Sequence, residues 1–60
     1  MRFLRLKDVI DKTGLSRSTI YRQIADGFFP KGIPLGGKAT GWLESEVEDW
    51  MLERLAKRNG

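Results

Sequence analysis

Ser16-Arg17-Ser18-Thr19-Ile20-Tyr21-Arg22 packs two guanidinium groups and three short hydroxyls into seven residues. Side chains of this kind suit a polyanion that also carries base edges. Arginine at 17 or 22 can pair bidentately with guanine, and Ser18 or Thr19 can bond a phosphate or a base edge. If the run opens a helix, its unpaired backbone N–H groups add a preference for phosphate. Ile20 and Ile24 lie one turn apart. With both turned inward, steps of about 100° per residue place Ser18, Arg22 and Ala25 on the outer face. Arg17 and Thr19 fall in the first turn, and Tyr21 at the margin of the buried stripe. For Tyr21, a hydroxyl that reaches phosphate and plain boundary packing both fit. Any helix surface carries some Ser and Arg, so the meaning of the run depends on the elements around it.

A second basic group is Gly36-Gly37-Lys38, with Lys31 nearby and Thr40 just beyond. Glycines let a backbone approach a phosphate or enter a minor groove, and Lys38 adds charge. An ordinary hairpin turn explains the same glycines. The G-x-x-x-x-G-K spacing of a nucleotide-binding loop is missing. Glu44, Glu46, Glu48 and Asp49 form the one carboxylate cluster. All four lie at the expected start of a helix, where acidic side chains offset the positive end of the dipole, and their spacing does not converge on a metal. Trp42 and Trp50 read as core rather than as base-stacking platforms, since Trp50 is in register with Val47 and Met51.

The chain has 60 residues with no cysteine and no histidine. That removes disulfides, thiol nucleophiles, zinc fingers and imidazole bases together, so neither catalysis nor a bound metal or other cofactor is expected. No small-molecule ligand is expected either. A chain of this length makes one domain, residues 1–60, held by packing alone.

The elements that must position the basic groups can be read in order. Leu6, Val9, Ile10 and Thr13 recur at i, i+3, i+4 and i+7, which predicts a helix of about two turns ending at Gly14. Leu15 plugs a corner and Ser16 caps a second helix, which ends at Gly27. Two short helices joined by Gly14-Leu15-Ser16 make a helix-turn-helix. Phe28 and Phe29 are expected to close the core beneath it. Phe3 and Leu4 form an extended or packed lead-in. Ile33-Pro34-Leu35 and Ala39–Leu43 flank the glycine tip as a two-stranded hairpin, with Pro34 on an edge. Ser45-x-x-Glu48 reads as a capping box for a last helix whose apolar face is Val47, Trp50, Met51 and Leu55. The tail Lys57-Arg58-Asn59-Gly60 is expected to fray. The fold class is therefore a small α+β winged helix-turn-helix: two-helix motif, two-stranded wing, C-terminal helix.

Eleven Lys and Arg oppose eight Asp and Glu, and the pI is near 9.7. Residues 1–43 carry eight basic and three acidic side chains, whereas residues 44–60 carry three and five. The positive charge sits with the helix-turn-helix and the wing, where it can meet a polyanion. No run is long and apolar enough for a membrane or a secretory signal, so a reducing cytoplasm is expected. With no coiled coil, and the last helix's apolar face assigned to the core, the sequence predicts a monomer. Copies would then bind adjacent DNA sites head to tail, with Arg54 and Arg58 against Asp8 or Asp11.

Several segments carry a specific resemblance. Arg2-Phe3-Leu4-Arg5-Leu6-Lys7, Thr13 through Arg22, Phe29-Pro30-Lys31 and Gly41 through Trp50 are similar, in order and spacing, to the AlpA family of prophage regulatory proteins. The resemblance implies a MerR-like winged helix-turn-helix shared with small phage excisionases. It also implies a recognition helix at Ser16–Arg22 and a wing at Gly36–Gly41. Unlike MerR proteins, this chain has no long C-terminal coiled coil and no cysteine sensor. The expected function is a sequence-specific double-stranded DNA-binding regulator of a prophage or integrated element. Its expected contacts are Ser16, Arg17, Ser18, Thr19, Tyr21, Arg22, Lys31, Gly37, Lys38 and Thr40. An excisionase-like architectural role beside an integrase uses the same residues. A protein-interaction adaptor is the alternative of a different class, and an RNA-binding module would require aromatics exposed on a sheet.

Overall fold

Leu4, Val9, Ile20, Phe29, Trp42 and Val47 come together as one buried core, and each element of the fold is the segment that carries one of them there. The computed structural model describes residues 1–58. In chain order it has β1 (Phe3–Leu4), α1 (Leu6–Thr13), α2 (Arg17–Ala25), β2 (Ile33–Gly36), β3 (Ala39–Leu43) and α3 (Glu44–Lys57). Burying one such apolar side chain contributes about 1.5–3 kcal/mol relative to exposure. No helix among the described residues is long and apolar enough to cross a membrane.

Helix α1 forms where the periodicity predicts it. Asp8 accepts the Arg5 backbone N–H at 3.1 Å, which satisfies one donor at the helix start. Gly14 ends the helix at φ 74°, a conformation that a Cβ would oppose. Thr13 does more than face the core. Its hydroxyl donates to the Val9 carbonyl at 2.8 Å and accepts the Leu15 N–H at 3.2 Å, closing the turn between the helices.

The predicted hairpin is present and gains a strand. β1 pairs antiparallel with β3, Phe3 opposite Leu43 and Leu4 opposite Trp42. The sheet order is thus β1-β3-β2, so the two-stranded wing is one part of a three-stranded sheet. The order leaves β2, with Pro34, on an edge, as the missing proline N–H requires. Gly36 closes against Ala39, and Gly36 and Gly37 take φ of 119° and 55°. The turn needs residues without a Cβ there.

Three expectations fail: the Ser45–Glu48 capping box, and the burial of Leu55 and of Phe28. Ser45 is not a helix cap, because α3 starts at Glu44, two residues earlier than a Ser45 cap would place it, with Leu43 as its N-cap and no side-chain cap bond. The physical reason is strand pairing: β3 runs straight into α3, and the Glu44 N–H donates to the Arg2 carbonyl at 2.9 Å. Glu48 is correspondingly not in a capping box but pairs with Lys12 at 3.3 Å. Leu55 is 51% exposed, because α3 outruns the body it packs on, and Phe28 is 63% exposed while Phe29 alone fills the core. Trp42 is the fully buried tryptophan. Trp50 is half-buried, its ring edge-on to Phe29 at 4.9 Å and its indole N–H on the Phe28 carbonyl at 2.6 Å. Of the tail expected to fray, Lys57 is helical, and Asn59 and Gly60 lie outside the described residues.

Candidate nucleic-acid interface

Helix α2 is fixed from one side only. Ile20 is fully buried and Ile24 packs against the core, so the opposite face is left to solvent. Ser18, Arg22 and Ala25 lie on that exposed face. Ser16 caps the helix, its oxygen accepting the Thr19 N–H at 3.2 Å while its hydroxyl donates to Thr19 Oγ1 at 2.8 Å. The two hydroxyls are thus engaged with each other, with lone pairs to spare. Arg17 is exposed, and its guanidinium stands 6.0 Å from the centre of the Tyr21 ring. That contact holds a planar cation and an aromatic face together at the start of the helix.

Tyr21 is 45% exposed and forms one wall of a groove of about 330 Å³. Arg5, Lys7, Lys38 and Thr40 line the same groove over a floor that includes Trp42. It therefore joins three elements: α2, the start of α1 and the wing. Arg5 bridges two of them, donating from Nε to the Thr40 carbonyl at 3.0 Å. The Trp42 indole N–H reaches the Pro30 carbonyl at 3.0 Å, which fixes the floor.

Of the ten residues singled out in the sequence, Tyr21, Lys38 and Thr40 line this groove. Arg17 joins it through the Tyr21 ring. Ser16, Ser18 and Arg22 lie on the exposed side of the α2 segment, and Thr19 is half-buried beneath its cap. Lys31 and Gly37 are exposed, outside the groove lining. Arg5 and Lys7 line the same groove in addition to the residues singled out in the sequence. In sequence they are only two of six basic residues before α2 or within the wing's approach, and nothing local separates them from Arg2 and Lys12.

Ion pairing separates them. Glu44 binds Arg2 at 3.2 Å and Lys12 at 3.8 Å, and Glu48 binds Lys12 at 3.3 Å. Among the described residues, Arg5, Lys7, Arg17, Arg22, Lys31 and Lys38 have no carboxylate partner within 4.0 Å. The acidic start of α3 therefore neutralises one group of cations and leaves the groove and α2 with uncompensated positive charge. Such a surface attracts a polyanion, with a strength that falls as salt rises.

The profile of the family described as "Prophage CP4-57 regulatory protein (AlpA)" matches residues 2–55. The chain is 43% identical over 60 residues to the Escherichia coli K12 protein named "DNA-binding transcriptional activator AlpA", covering 90% of this chain and 86% of that protein. It is 54% identical over 57 residues to "Uncharacterized protein ORF88" of Enterobacteria phage P4, covering 95% of this chain and 65% of the phage protein. The match runs through β1, both helices of the turn motif, the wing and most of α3, and the chain belongs to the AlpA family of prophage regulatory proteins.

Proposed function

We propose that this protein is a sequence-specific double-stranded DNA-binding transcriptional regulator of a prophage or integrated element. The observation that carries the reading is the uncompensated basic surface that runs from Arg17 and Arg22 on α2, past Tyr21, to Arg5, Lys7 and Lys38. The name of the Escherichia coli relative supports it and favours activation as the sign of regulation.

In this reading the N-terminal half of α2 enters the major groove. Arg17 and Arg22 read base edges there, while Ser16, Ser18 and Thr19 meet phosphate or base edges. Tyr21, Lys38 and Thr40 hold the backbone where the groove between α2 and the wing crosses it, and Arg5 and Lys7 extend that clamp. Gly37 lets the wing tip approach the minor groove, with Lys31 as a flanking phosphate contact. One such module buries only about 600–1,000 Å² of protein surface on DNA, too little to select one genomic site alone. Neighbouring copies, or an integrase bound alongside, supply the remaining discrimination.

An anisotropy titration with labelled duplexes from upstream of the adjacent genes tests this. The expected result is binding at least 100-fold tighter to one duplex than to a scrambled sequence of the same composition, a modest ratio for a specific DNA-binding protein. Equal affinity for all duplexes, or none, overturns it.

A further inference from the structure

Beyond that reading, we infer that the aromatic groove between α3 and the segment after α2 is a docking site for an arginine-bearing segment of a protein partner. Glu46, Asp49, Trp50 and Glu53 recur at i, i+3, i+4 and i+7, so α3 presents them along one stripe. Phe28 and Phe29 stand on the facing wall, and the groove between has a volume of about 360 Å³. Phe29 is buried and meets the Trp50 ring edge-on at 4.9 Å. The Trp50 indole N–H donates to the Phe28 carbonyl, so the ring is fixed from two directions. The Phe28 ring is 63% exposed and stands outside the core cluster.

Charge identifies the occupant. Five carboxylates lie on α3, and two of them, Glu44 and Glu48, are engaged by Arg2 and Lys12. The other three are Glu46, Asp49 and Glu53, all exposed and all lining this groove. Among the described residues none of the three has a Lys or Arg partner within 4.0 Å. The helix dipole accounts for Glu46, which lies in the first turn, but its influence does not extend to Asp49 and Glu53. Three uncompensated carboxylates beside an exposed ring repel DNA and attract a cation.

A guanidinium suits both parts of the groove. Its plane stacks on an aromatic face and its fork pairs with a carboxylate, whereas an ammonium offers one compact, strongly hydrated charge. The chain shows this geometry once already, since the Arg54 guanidinium lies 5.1 Å from the centre of the Trp50 ring. Phe28 offers a second such face, with the carboxylates on the other wall. Glu46 and Glu53 are seven residues apart, about 10 Å along the helix. An extended segment with arginines three residues apart spans the same distance. No residue of this groove lines the one at Tyr21 and Lys38, so the two surfaces can be occupied together. A second copy has few cations to offer here: before α3 its unpaired ones lie on the face proposed for DNA, and its Arg54 is held by its own Trp50.

The test uses the full chain without DNA, so its outcome is independent of the DNA reading. The probe is a capped hexapeptide of glycine and serine with arginine at its second and fifth positions, titrated into isotope-labelled protein and followed by NMR. The expected result is a shift of the Trp50 indole N–H and of the Phe28 and Glu53 amides, with the Trp42 indole N–H unmoved. The matching lysine peptide is expected to bind at least threefold more weakly. Phe28→Ser and Glu53→Gln, both at exposed positions, are each expected to weaken binding at least threefold with an unchanged circular dichroism spectrum. Glu48→Gln is expected to leave it unchanged, because that carboxylate is engaged by Lys12. No shift at millimolar peptide, equal binding of the lysine peptide, or native affinity in both Phe28→Ser and Glu53→Gln overturns the inference. So does a monomer–dimer equilibrium in sedimentation that Glu53→Lys abolishes, because the occupant is then a second copy.

Discussion

Arg5 and Thr40 lie 35 positions apart, yet the Arg5 Nε donates to the Thr40 carbonyl at 3.0 Å. The bond ties the start of α1 to the central strand of the sheet, beside the groove shared by α2 and the wing. It uses one N–H of the guanidinium and leaves the others directed to solvent or ligand. Arg5 is thereby both a strut for the wing and a cation at the groove. These roles separate in Arg5→Lys, which keeps the charge but loses the planar fork. The expected result is DNA affinity lower by about three- to tenfold, matching a hydrogen bond worth about 1 kcal/mol, with an unchanged salt slope. An unchanged affinity would show that the wing needs no strut.

Salt dependence reports how many cations meet phosphate. Before α3, six basic side chains have no carboxylate partner among the described residues, and with about five of them near phosphate the slope of log K against log salt is expected to be about −4 to −5. Lys7→Gln should make that slope shallower by about one. Lys12→Gln should leave it as it is, because the Lys12 ammonium is committed to Glu44 and Glu48. Titrations at four salt concentrations measure all three. A slope near zero for the native chain would end the DNA reading.

Much of this surface is legible in the sequence, and the part that is not has a common cause. Ser16, Gly14, Ile20 and Pro34 act within a turn or a strand, so residue type and spacing announce their roles. Arg5 and Lys7 reach the groove through a tertiary fold that brings residue 5 to residue 40. Ser45 has the spacing of a cap, yet the Glu44 N–H is already satisfied by the Arg2 carbonyl, and strand pairing wins over the local motif. Leu55 and Phe28 show a different limit. An apolar period tells which face of a segment is greasy, whereas the length of the surface available to cover it is a property of the whole fold.

Base reading and phosphate holding should separate by mutation. Arg17→Ala or Arg22→Ala is expected to cost about 1–3 kcal/mol of DNA binding and to relax preference at one position of the site. Lys38→Ala is expected to weaken binding evenly across sequences, since a phosphate carries no base information. A panel of single-base variants of the preferred duplex distinguishes the two patterns. If both arginine variants match the native profile while the fold is intact, α2 is not the reading element.

The two tryptophans differ in what they hold. Trp42 is 1% exposed at the centre of the core, and Trp42→Ala is expected to cost about 3–5 kcal/mol. A domain this small has little more than that in total, so the variant should be unfolded. Trp50 lies at the edge of the core and donates to the Phe28 carbonyl. Trp50→Phe keeps the apolar ring and drops that bond, for an expected loss of about 1 kcal/mol. Thermal melts followed by circular dichroism test both, and a stable Trp42→Ala domain would displace Trp42 from the centre of the core.

The sharpest separation of folding from binding is available at Ser16. Its oxygen caps α2 by accepting the Thr19 N–H, and aspartate caps a helix about as well as serine does. The Thr19 hydroxyl, which now accepts from Ser16, can donate to a carboxylate instead. A negative charge at this end also interacts favourably with the helix dipole. Ser16→Asp is therefore expected to match or exceed the native melting temperature. The same charge would stand at the mouth of the proposed interface, beside Arg17, where it repels phosphate and competes for the guanidinium. DNA affinity is expected to fall at least tenfold, more at low salt than at high, since added ions screen the repulsion. Ser16→Ala provides the counterpart: it loses the cap, for about 1 kcal/mol of stability, but adds no charge, and its affinity should change far less. If Ser16→Asp binds DNA as tightly as the native chain, the start of α2 does not approach the phosphates, and the proposed docking of this helix is wrong.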